Sequence, residues 1–282
     1  MLVRWVGGKS LLANQIIGIF PPHKRYIEPF FGGGWVFFKK PIADVNIIND
    51  INGDLINLYR VVRDRPQEMA RLIHYTPKHE DEFNRLLAIY RSDGWSKMDE
   101  IQRALIYYFL IKNSFNGLLS SFSVISTGWM GEGVIETMWQ VHEKLIRADI
   151  LNHDWKDVLD RFADKDTLVY LDPPYAVTIK EKDYYYQYVM NVEQHKDLRD
   201  YLVAKKDTFK FVMSYDVHPF VSELYSGIPG IFLYETSEVF QSSINKNSKT
   251  VIDSDRSQAF KREFLITTYR IEDVSPLFIG QI

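Results

Sequence analysis

The chain has 282 residues, of which 46% are hydrophobic and 25% charged, and its formal net charge is −3. This composition is typical of a globular protein, and no apolar run is long enough to span a bilayer. The sequence contains no cysteine, which excludes disulfides, thiolate metal sites and cysteine nucleophiles. The amino-terminal residues lack the apolar stretch of a secretory signal, so we expect a cytoplasmic location.

The first 50 residues are predicted to form an α/β unit around a glycine-rich turn, Phe30 to Gly34. The elements expected are a helix over 9–17, a strand over 25–28, a helix over 35–38 and a strand over 45–50. Asp50 ends this second strand, where an acid can accept hydrogen bonds from ribose hydroxyls. The pattern predicts a nucleoside site, and a tight strand-to-helix turn without a ligand is the alternative.

Gly7-Gly8-Lys9-Ser10 is similar to part of a phosphate-binding loop. The complete pattern requires glycine at position 3, where this chain has Val3, and a preceding strand for which there is no room. Hydrolysis of a nucleoside triphosphate is therefore rejected. Lys9 at a helix start remains a good partner for a carboxylate, helped by the helix dipole.

Helices dominate the middle of the chain, and strand–helix alternation returns after it. Helices are expected over 54–59, 66–75, 80–91, 99–113, 155–161 and 193–205. Strands are expected over 149–152, 167–172, 209–214, 230–235 and 263–270. The stretch 116–133 is a long glycine-punctuated loop, and such loops are usually functional. The order predicts an α/β sheet interrupted by a helical insert.

Asp172-Pro173-Pro174-Tyr175 follows an apolar strand and is the most informative motif of the chain. The prolines fix φ and donate no N–H, so the backbone leaves the strand stiffly. An exocyclic amino group could donate to Asp172 and to the Pro173 carbonyl while Tyr175 stacks on a flipped base. An ordinary strand-ending turn is the alternative. Because methylation at cytosine C5 needs a thiolate, only amino nitrogens remain as targets among base methylations.

Asn152-His153-Asp154-Trp155 follows another predicted strand. Asp154 is expected to accept from the adenine amino group of a cofactor, with Trp155 beside it, or to cap the next helix, and both roles can hold at once. The seven histidines show no metal-ligand spacing, so no metal is expected.

Four motifs in this order resemble those of the Dam-type, D12-class site-specific DNA adenine-N6 methyltransferases. They are Arg4-Trp5-Val6-Gly7-Gly8-Lys9, Glu28 to Gly34, Asn49 to Ile56, and Asp172 to Tyr175. The resemblance extends from residue 4 to about residue 270, and the four motifs together are far more specific than any one. It implies an α/β, Rossmann-like S-adenosylmethionine-dependent methyltransferase sheet with an inserted α-helical target recognition domain.

The implied domains follow the element pattern. The catalytic domain would comprise residues 1–53 and 149–271, the helical recognition domain 54–148 with a DNA-contacting loop at 116–133, and a tail 272–282. An enzyme that modifies a stacked base needs a separate element to hold the duplex while the base is flipped.

The resemblance also implies S-adenosylmethionine as the methyl donor. Lys9 would contact its methionine carboxylate and Asp50 its ribose. The cofactor-binding residues expected are Trp5, Lys9, Glu28, Phe30, Gly32, Gly34, Asp50, Ile51, Asp154, Trp155 and Asp172. The catalytic residues expected are Asp172, Pro173, Pro174 and Tyr175. Adenine N6 would attack the sulfonium methyl directly, without a covalent enzyme intermediate.

Double-stranded DNA is the expected partner, and residues 1–40 carry six basic side chains and one acidic, a balance of 6 − 1 = +5. The residues expected to contact DNA are Arg4, Asn113, Asn116, Leu118 and Ser120. In the best-known GATC-specific relatives a basic residue that reads guanine stands at the place of Ser120, so GATC is a candidate target and not an inference.

Other assignments stay open. The nearest is a cytosine-N4 or RNA adenine-N6 methyltransferase, although cytosine-N4 enzymes more often begin the catalytic motif with serine, so Asp172 favours adenine. A DNA-binding regulator that has lost catalysis is a rival from another class. A cognate restriction endonuclease is a candidate partner, a prokaryotic or phage origin is expected, and so is a monomer or weak dimer.

Overall fold

The computed structural model of the protein describes residues 2–3, 8–114, 117, 119–124, 132–175, 189–236, 239–240 and 260–275. Its helices are α1 (Ala13–Gly18), α2 (Trp35–Lys39), α3 (Gly53–Asp64), α4 (Pro66–Tyr75), α5 (Glu80–Tyr90), α6 (Glu100–Asn113), α7 (Glu132–Leu145), α8 (Trp155–Phe162), α9 (Val192–Lys205) and α10 (Pro219–Tyr225). Its strands are β1 (Arg25–Glu28), β2 (Val45–Asn49), β3 (Asp149–Leu151), β4 (Thr167–Leu171), β5 (Lys210–Asp216), β6 (Phe232–Glu235), β7 (Val239–Phe240), β8 (Phe260–Lys261) and β9 (Glu263–Thr267).

Seven strands form one mostly parallel sheet in the order β3-β2-β1-β4-β5-β9-β6, and β7 and β8 pair separately. Strands β1 to β5 are parallel, whereas β9 runs antiparallel to both β5 and β6. The strand order reverses between β1 and β4. Such a switch point opens a crevice at the carboxyl ends of the strands, which is where open α/β sheets bind ligands.

The sheet is buried on both faces, and this explains why its strands are nearly continuous apolar runs in the sequence. Alternate residues along each strand pack into two hydrophobic cores. One core contains Tyr26, Ile48, Leu168, Tyr170, Val212 and Leu265 together with residues of α1 to α7. The other contains Ile27, Ile47, Val169, Leu171, Phe211 and Ile266 together with residues of α8 to α10. The arrangement is a sheet between two helical layers.

Helices α3 to α7 connect β2 to β3 and share the first of these cores with the sheet. Helix α3 is capped by Asn52, whose side chain accepts from the N–H groups of Asp54 and Leu55. From the same helix, Arg60 donates to the carbonyl of Ile150 in β3 at 2.8 Å. The helical segment is therefore anchored on the sheet through a common core, and the boundary of a separate recognition domain at 54–148 remains a prediction.

Most of the predicted helices and strands coincide with those of the structure. The differences in their bounds have local causes. The first helix begins at Ala13 because residues 10–12 form a turn, so Lys9 precedes the helix by a turn. Helix α7 is not among the helices predicted above, and it begins at Glu132, inside the predicted loop 116–133. The last strand ends at Thr267, before the predicted end at residue 270. Helix α10 is not predicted, because its seven residues are too few to show a clear helical period.

Replacing Gly34 by alanine is expected to lower the free energy of unfolding by about 2–3 kcal/mol. Gly34 has a φ of +66°, and a Cβ atom there would lie 2.4 Å from Phe31 Cζ and 2.7 Å from Phe38 Cε2. Urea unfolding measures the loss. The matched control is Gly133→Ala, because a Cβ at that helical glycine meets nothing within 4 Å. Equal losses in the two variants would contradict this account of the turn.

Candidate active site

The loops after β1, β2 and β3 are joined at the carboxyl edge of the sheet by Asn49, the last residue of β2. Its amide donates to the carbonyls of Pro29 and His153, each at 3.0 Å, and its oxygen accepts from the His153 N–H at 2.9 Å. Asn49 is buried, so these bonds are shielded from water. Three strand ends are thus held in one fixed arrangement.

Asp50 holds the glycine-rich turn in place. Its Oδ2 accepts from the Gly32 N–H at 2.8 Å, and its Oδ1 accepts from the Asn52 N–H at 2.9 Å. The Tyr59 hydroxyl donates to the Gly32 carbonyl at 3.0 Å. Burial raises the pKa of Asp50, while hydrogen bonds from the amides of Asn52, Gly32 and Ile51 act in the opposite direction. Asp50 itself is half-buried.

Lys9 and Asp172 form an ion pair at the carboxyl end of β4. The Lys9 Nζ lies 2.7 Å from Asp172 Oδ1 and 3.6 Å from Glu263 Oε2, with Lys9 3% and Asp172 22% exposed. The Ser214 hydroxyl donates to the same Asp172 Oδ1 at 3.2 Å and hydrogen-bonds Tyr170 at 2.8 Å. The Asp172 carboxylate is therefore held by an ammonium group and a buried hydroxyl.

Tyr175 is buried beside this pair. Its ring stacks on Tyr215 with centroids 5.6 Å apart and an interplanar angle of 23°, and the Lys9 Nζ lies 4.6 Å from its centroid. Burial, and then the charges of Asp172 and Glu263, raise the pKa of Tyr175 well above its usual range. In this form of the protein, the ring predicted to stack on a base is already in contact with Tyr215 and Lys9.

His195 supports the stacked pair Tyr175 and Tyr215 through a hydrogen bond to Tyr215. The Tyr215 hydroxyl forms a short hydrogen bond with His195 Nδ1. Burial lowers the pKa of His195 to about 4, so the imidazole is neutral at pH 7 and makes this contact without a charge. The stack of Tyr175 on Tyr215 therefore has a fixed support.

Glu28 and Lys40 place a second pair of ionisable groups beneath the site. Glu28 accepts from the Tyr26 hydroxyl at 2.7 Å, and Lys40 Nζ lies 4.2 Å from the Tyr26 ring and 3.1 Å from Asn46 Oδ1. Burial raises the pKa of Glu28 to about 8, with a further increase from the charge of Asp172. Burial also lowers the pKa of Lys40 to about 8. Both side chains are almost fully buried.

Comparison with known proteins gives the family of the chain. The family model of the D12 class N6 adenine-specific DNA methyltransferases matches residues 5–242. The chain belongs to this family. It is therefore an enzyme that methylates adenine N6 in DNA, and the family implies S-adenosylmethionine as its methyl donor.

Curated relatives agree with the family match. Type II methyltransferase M1.LlaDCHI of Lactococcus lactis subsp. cremoris is 29% identical over 79% of this chain and 83% of its own length. Type II methyltransferase M.MjaIII of Methanocaldococcus jannaschii is 30% identical over 80% of this chain and 87% of its own. The DNA N-6-adenine-methyltransferase of Escherichia phage P1 is 27% identical over 79% of this chain, which spans only 31% of that protein.

Most of the cofactor residues predicted for this D12 methyltransferase that the structure describes lie at the carboxyl ends of β1, β2, β3 and β4. Trp5 lies outside the described residues. Glu28, Phe30, Gly32 and Gly34 belong to the end of β1 and its turn, and Ile51, which follows Asp50, is 50% exposed. Pro173 and Pro174 continue from Asp172 to Tyr175 at the end of β4, as the motif predicts.

Asp154 and Trp155 lie at the start of α8, after β3. Asp154 caps α8 by accepting from the Lys156 N–H at 2.9 Å, so the capping role is confirmed. The Trp155 ring lies 6.3 Å from Phe30 and 5.1 Å from Tyr201. A groove of about 570 Å³ runs along α8 and α9 beside Trp155. Asp172 does not line this groove.

The predicted DNA contacts are placed only in part. Arg4, Asn116 and Leu118 lie outside the described residues, and Ser120 is exposed. Asn113 is fully buried and donates to the Phe109 carbonyl at 2.9 Å, so in this arrangement it supports α6 and does not face a duplex.

The ends of the predicted DNA-contacting hairpin are nevertheless paired. Ser114 and Phe122 form an antiparallel bridge, and the Ser123 N–H donates to the Asn113 carbonyl at 2.7 Å. Leu119, between them, has a φ of 54°, a strained conformation that in ordered loops often marks a functional site.

The basic face predicted over residues 1–40 has fewer accessible charges than the count of basic residues indicates, because Lys9 and Lys40 are buried.

Sequence reasoning missed three residues of the site: Asn49, Ser214 and Glu263. Asn49 is the last residue of β2, Ser214 lies within β5 and Glu263 is the first residue of β9. Each is a polar side chain in a largely apolar strand, and each is almost fully buried. Within the described residues, no group of three or more His, Asp or Glu side chains could hold a metal ion. Among the described helices, none has the length and apolar character of a membrane span.

Glu28→Gln is expected to change how stability depends on pH. Because the pKa of Glu28 is raised from 4.5 to about 8, the folded protein keeps a proton that the unfolded chain releases between these values. This group therefore stabilises the fold most at low pH, and the contribution is lost as pH rises through about 8. Urea unfolding between pH 5 and 8 should show a flatter profile for the variant than for the wild type.

The control for this prediction is Glu223→Gln, which changes an exposed glutamate and should leave the pH profile as it is in the wild type. If Glu28→Gln also leaves the slope unchanged between pH 5 and 8, Glu28 does not carry the retained proton.

Proposed function

We propose that this site transfers a methyl group from S-adenosylmethionine to N6 of an adenine flipped out of double-stranded DNA, in a short specific sequence. The observation that carries the proposal is the position of the Asp172 carboxylate, which lies 2.7 Å from the Lys9 ammonium at the switch point of the sheet. The Asp172 carboxylate can accept from an exocyclic amine, and the adjacent Lys9 ammonium can pair with a methionine carboxylate.

The residues at the crevice fit S-adenosylmethionine chemically. Lys9 offers a buried cation to a carboxylate, and Asp50 offers acceptors to ribose hydroxyls. A Cβ atom at Gly34 would collide with Phe31 and Phe38, so the tight turn requires glycine at this position. Phe30 and Trp155 supply aromatic walls of the kind that an adenine ring stacks on. The bound cofactor would supply an electrophilic methyl group on a sulfonium.

Asp172 would act on the nucleophile. Adenine N6 is a weak nucleophile because its lone pair is delocalised into the ring. Asp172 and the Pro173 carbonyl would each accept a hydrogen bond from N6 and stabilise the positive charge that develops there as N6 gains the methyl group. N6 would then release one of its two protons to solvent, which reaches the partly exposed Asp172. Alignment of N6 with the methyl group supplies much of the remaining acceleration.

Tyr175 would stack on the flipped adenine, and this requires a change from the arrangement seen here. The ring now contacts Lys9 at 4.6 Å. Lys9 would pair with a methionine carboxylate bound next to it, and its contacts with Asp172 and Tyr175 would weaken, because one ammonium group would then be shared by more anions. Cofactor binding would therefore prepare the site for the base.

Helices within 54–148 are proposed to hold the duplex, with the loop from Asn113 to Ser123 as the contacting hairpin. Arg4, Asn116, Leu118 and Ser120 are the proposed contacts. A cognate restriction endonuclease is a candidate partner, since two relatives carry type II methyltransferase names. A monomer or weak dimer, acting on DNA in the cytoplasm, remains the expected form.

Asp172→Asn is expected to lower kcat for methyl transfer by at least about 100-fold, because the amide keeps the shape and loses the charged acceptor. Cofactor affinity, measured by calorimetry, should change by less than about tenfold, since Lys9 and Asp50 remain. The matched control is Asp207→Asn, which changes a 90% exposed carboxylate. Near-normal turnover by Asp172→Asn would remove Asp172 from the chemistry.

Incubation of the purified protein with labelled S-adenosylmethionine and unmethylated genomic DNA tests the function as a whole. Mass spectrometry identifies the methylated base, and long-read sequencing gives its context. We expect N6-methyladenine in one short motif. N4-methylcytosine would overturn the choice of base, and cofactor binding without transfer to DNA would shift the target to RNA or protein.

A further inference from the structure

A buried glutamate completes the charge cluster around Lys9. Glu263 is 1% exposed, and its Oε2 lies 3.6 Å from the Lys9 Nζ. Its charge also contributes to the raised pKa of Tyr175. One carboxylate therefore reaches both the proposed cofactor-binding cation and the proposed base-stacking ring.

Glu263 reaches this position because β9 runs against the parallel strands. As the first residue of β9, it lies beside Asp216 at the carboxyl end of β5. Its backbone is held from the other side as well, because the Thr236 N–H donates to its carbonyl at 2.8 Å and its own N–H donates to Thr236 Oγ1 at 2.9 Å. The side chain thus starts from a rigid point of the sheet.

A buried carboxylate is costly unless a cation accompanies it. Lys9 has three N–H donors, and it stands between Glu263 and Asp172, at 3.6 Å and 2.7 Å. Two carboxylates therefore share one ammonium group. They differ in exposure, because Asp172 is 22% exposed and opens to the crevice whereas Glu263 is enclosed.

We propose that Glu263 is a positioning residue for methyl transfer, which keeps the Lys9 ammonium at the cofactor end of the crevice when Asp172 turns to adenine N6. This inference rests on the function proposed above. A carboxylate that shares its charge with Lys9 is a weaker acceptor for N6, so Asp172 acts best when Lys9 has another counter-ion. Glu263 remains as its fixed counter-ion, so that Lys9 can bind the methionine carboxylate instead of holding Asp172.

The test is a double-mutant cycle on cofactor affinity, using Glu263→Gln, Lys9→Met and the two together. Glutamine has nearly the shape of glutamate without its charge. Glu263→Gln should weaken S-adenosylmethionine binding about tenfold when Lys9 is present and less than about twofold in the Lys9→Met background. A purely structural glutamate would have the same effect in both backgrounds, and that outcome would overturn the inference.

Thr267→Val is the matched control, since Thr267 is fully buried on the same face of β9 and its hydroxyl donates to the Tyr269 carbonyl at 2.6 Å. It should lower the melting temperature and leave cofactor affinity within about twofold. If Glu263→Gln does not fold, the double variant still allows cofactor affinity to be measured, because it removes both buried charges together. Glu263→Asp then replaces the single variant, and it should bind the cofactor with intermediate affinity.

The two proposals fail in different ways. A wild-type protein that does not bind S-adenosylmethionine contradicts the proposed function before any variant is compared. Loss of affinity in Lys9→Met, with unchanged affinity in Glu263→Gln, leaves the proposed function in place and overturns the role of Glu263 alone.

Discussion

The ion pair between Lys9 and Asp172 is the contact on which the arrangement of the site depends. It joins the segment before α1 to the end of β4 at 2.7 Å, across the point where the strand order reverses. A charge-assisted contact of this length is among the stronger polar interactions in proteins. Because Lys9 is buried, removing one partner leaves a poorly solvated charge. The Tyr175 ring and Glu263 both contact Lys9 of this pair.

A series of polar contacts extends from that pair into the protein. Burial and then the charge of Asp172 raise the pKa of Glu28, Glu28 accepts from Tyr26, and Tyr26 lies under the ammonium group of Lys40. A protonated Glu28 keeps a second negative charge away from Asp172, which leaves Asp172 as the ionised acceptor of the site. The buried groups beneath the crevice therefore bear on the chemistry at its surface, although they do not contact a substrate.

Sequence reasoning predicted the acids that follow parallel strands. Asp50 and Asp172 follow apolar runs, and the carboxyl ends of parallel strands share one edge, so their proximity follows from the pattern. Glu263 shows the limit of that reasoning. It begins a strand, and only the antiparallel direction of β9 brings a first residue to the same edge. Nothing in the local sequence sets that direction, because it depends on pairing with distant strands.

Side-chain environments account for the remaining differences. Asn113 looks like a polar residue at the entry to a DNA-contacting loop, but its burial turns it toward the Phe109 carbonyl. The local pattern cannot separate these outcomes, since both use the same amide. Asp154 is the opposite case, because helix capping depends on neighbours two or three residues away and can be predicted locally.

The central claim is that the cofactor takes Lys9 from Asp172 and so frees the carboxylate for adenine. The most direct measurement is a crystal structure of the protein with S-adenosylhomocysteine. The account predicts Lys9 Nζ within about 3 Å of the methionine carboxylate and more than about 4 Å from Asp172. A bound complex in which Lys9 still pairs with Asp172, with the methionine carboxylate held by other groups, would contradict it.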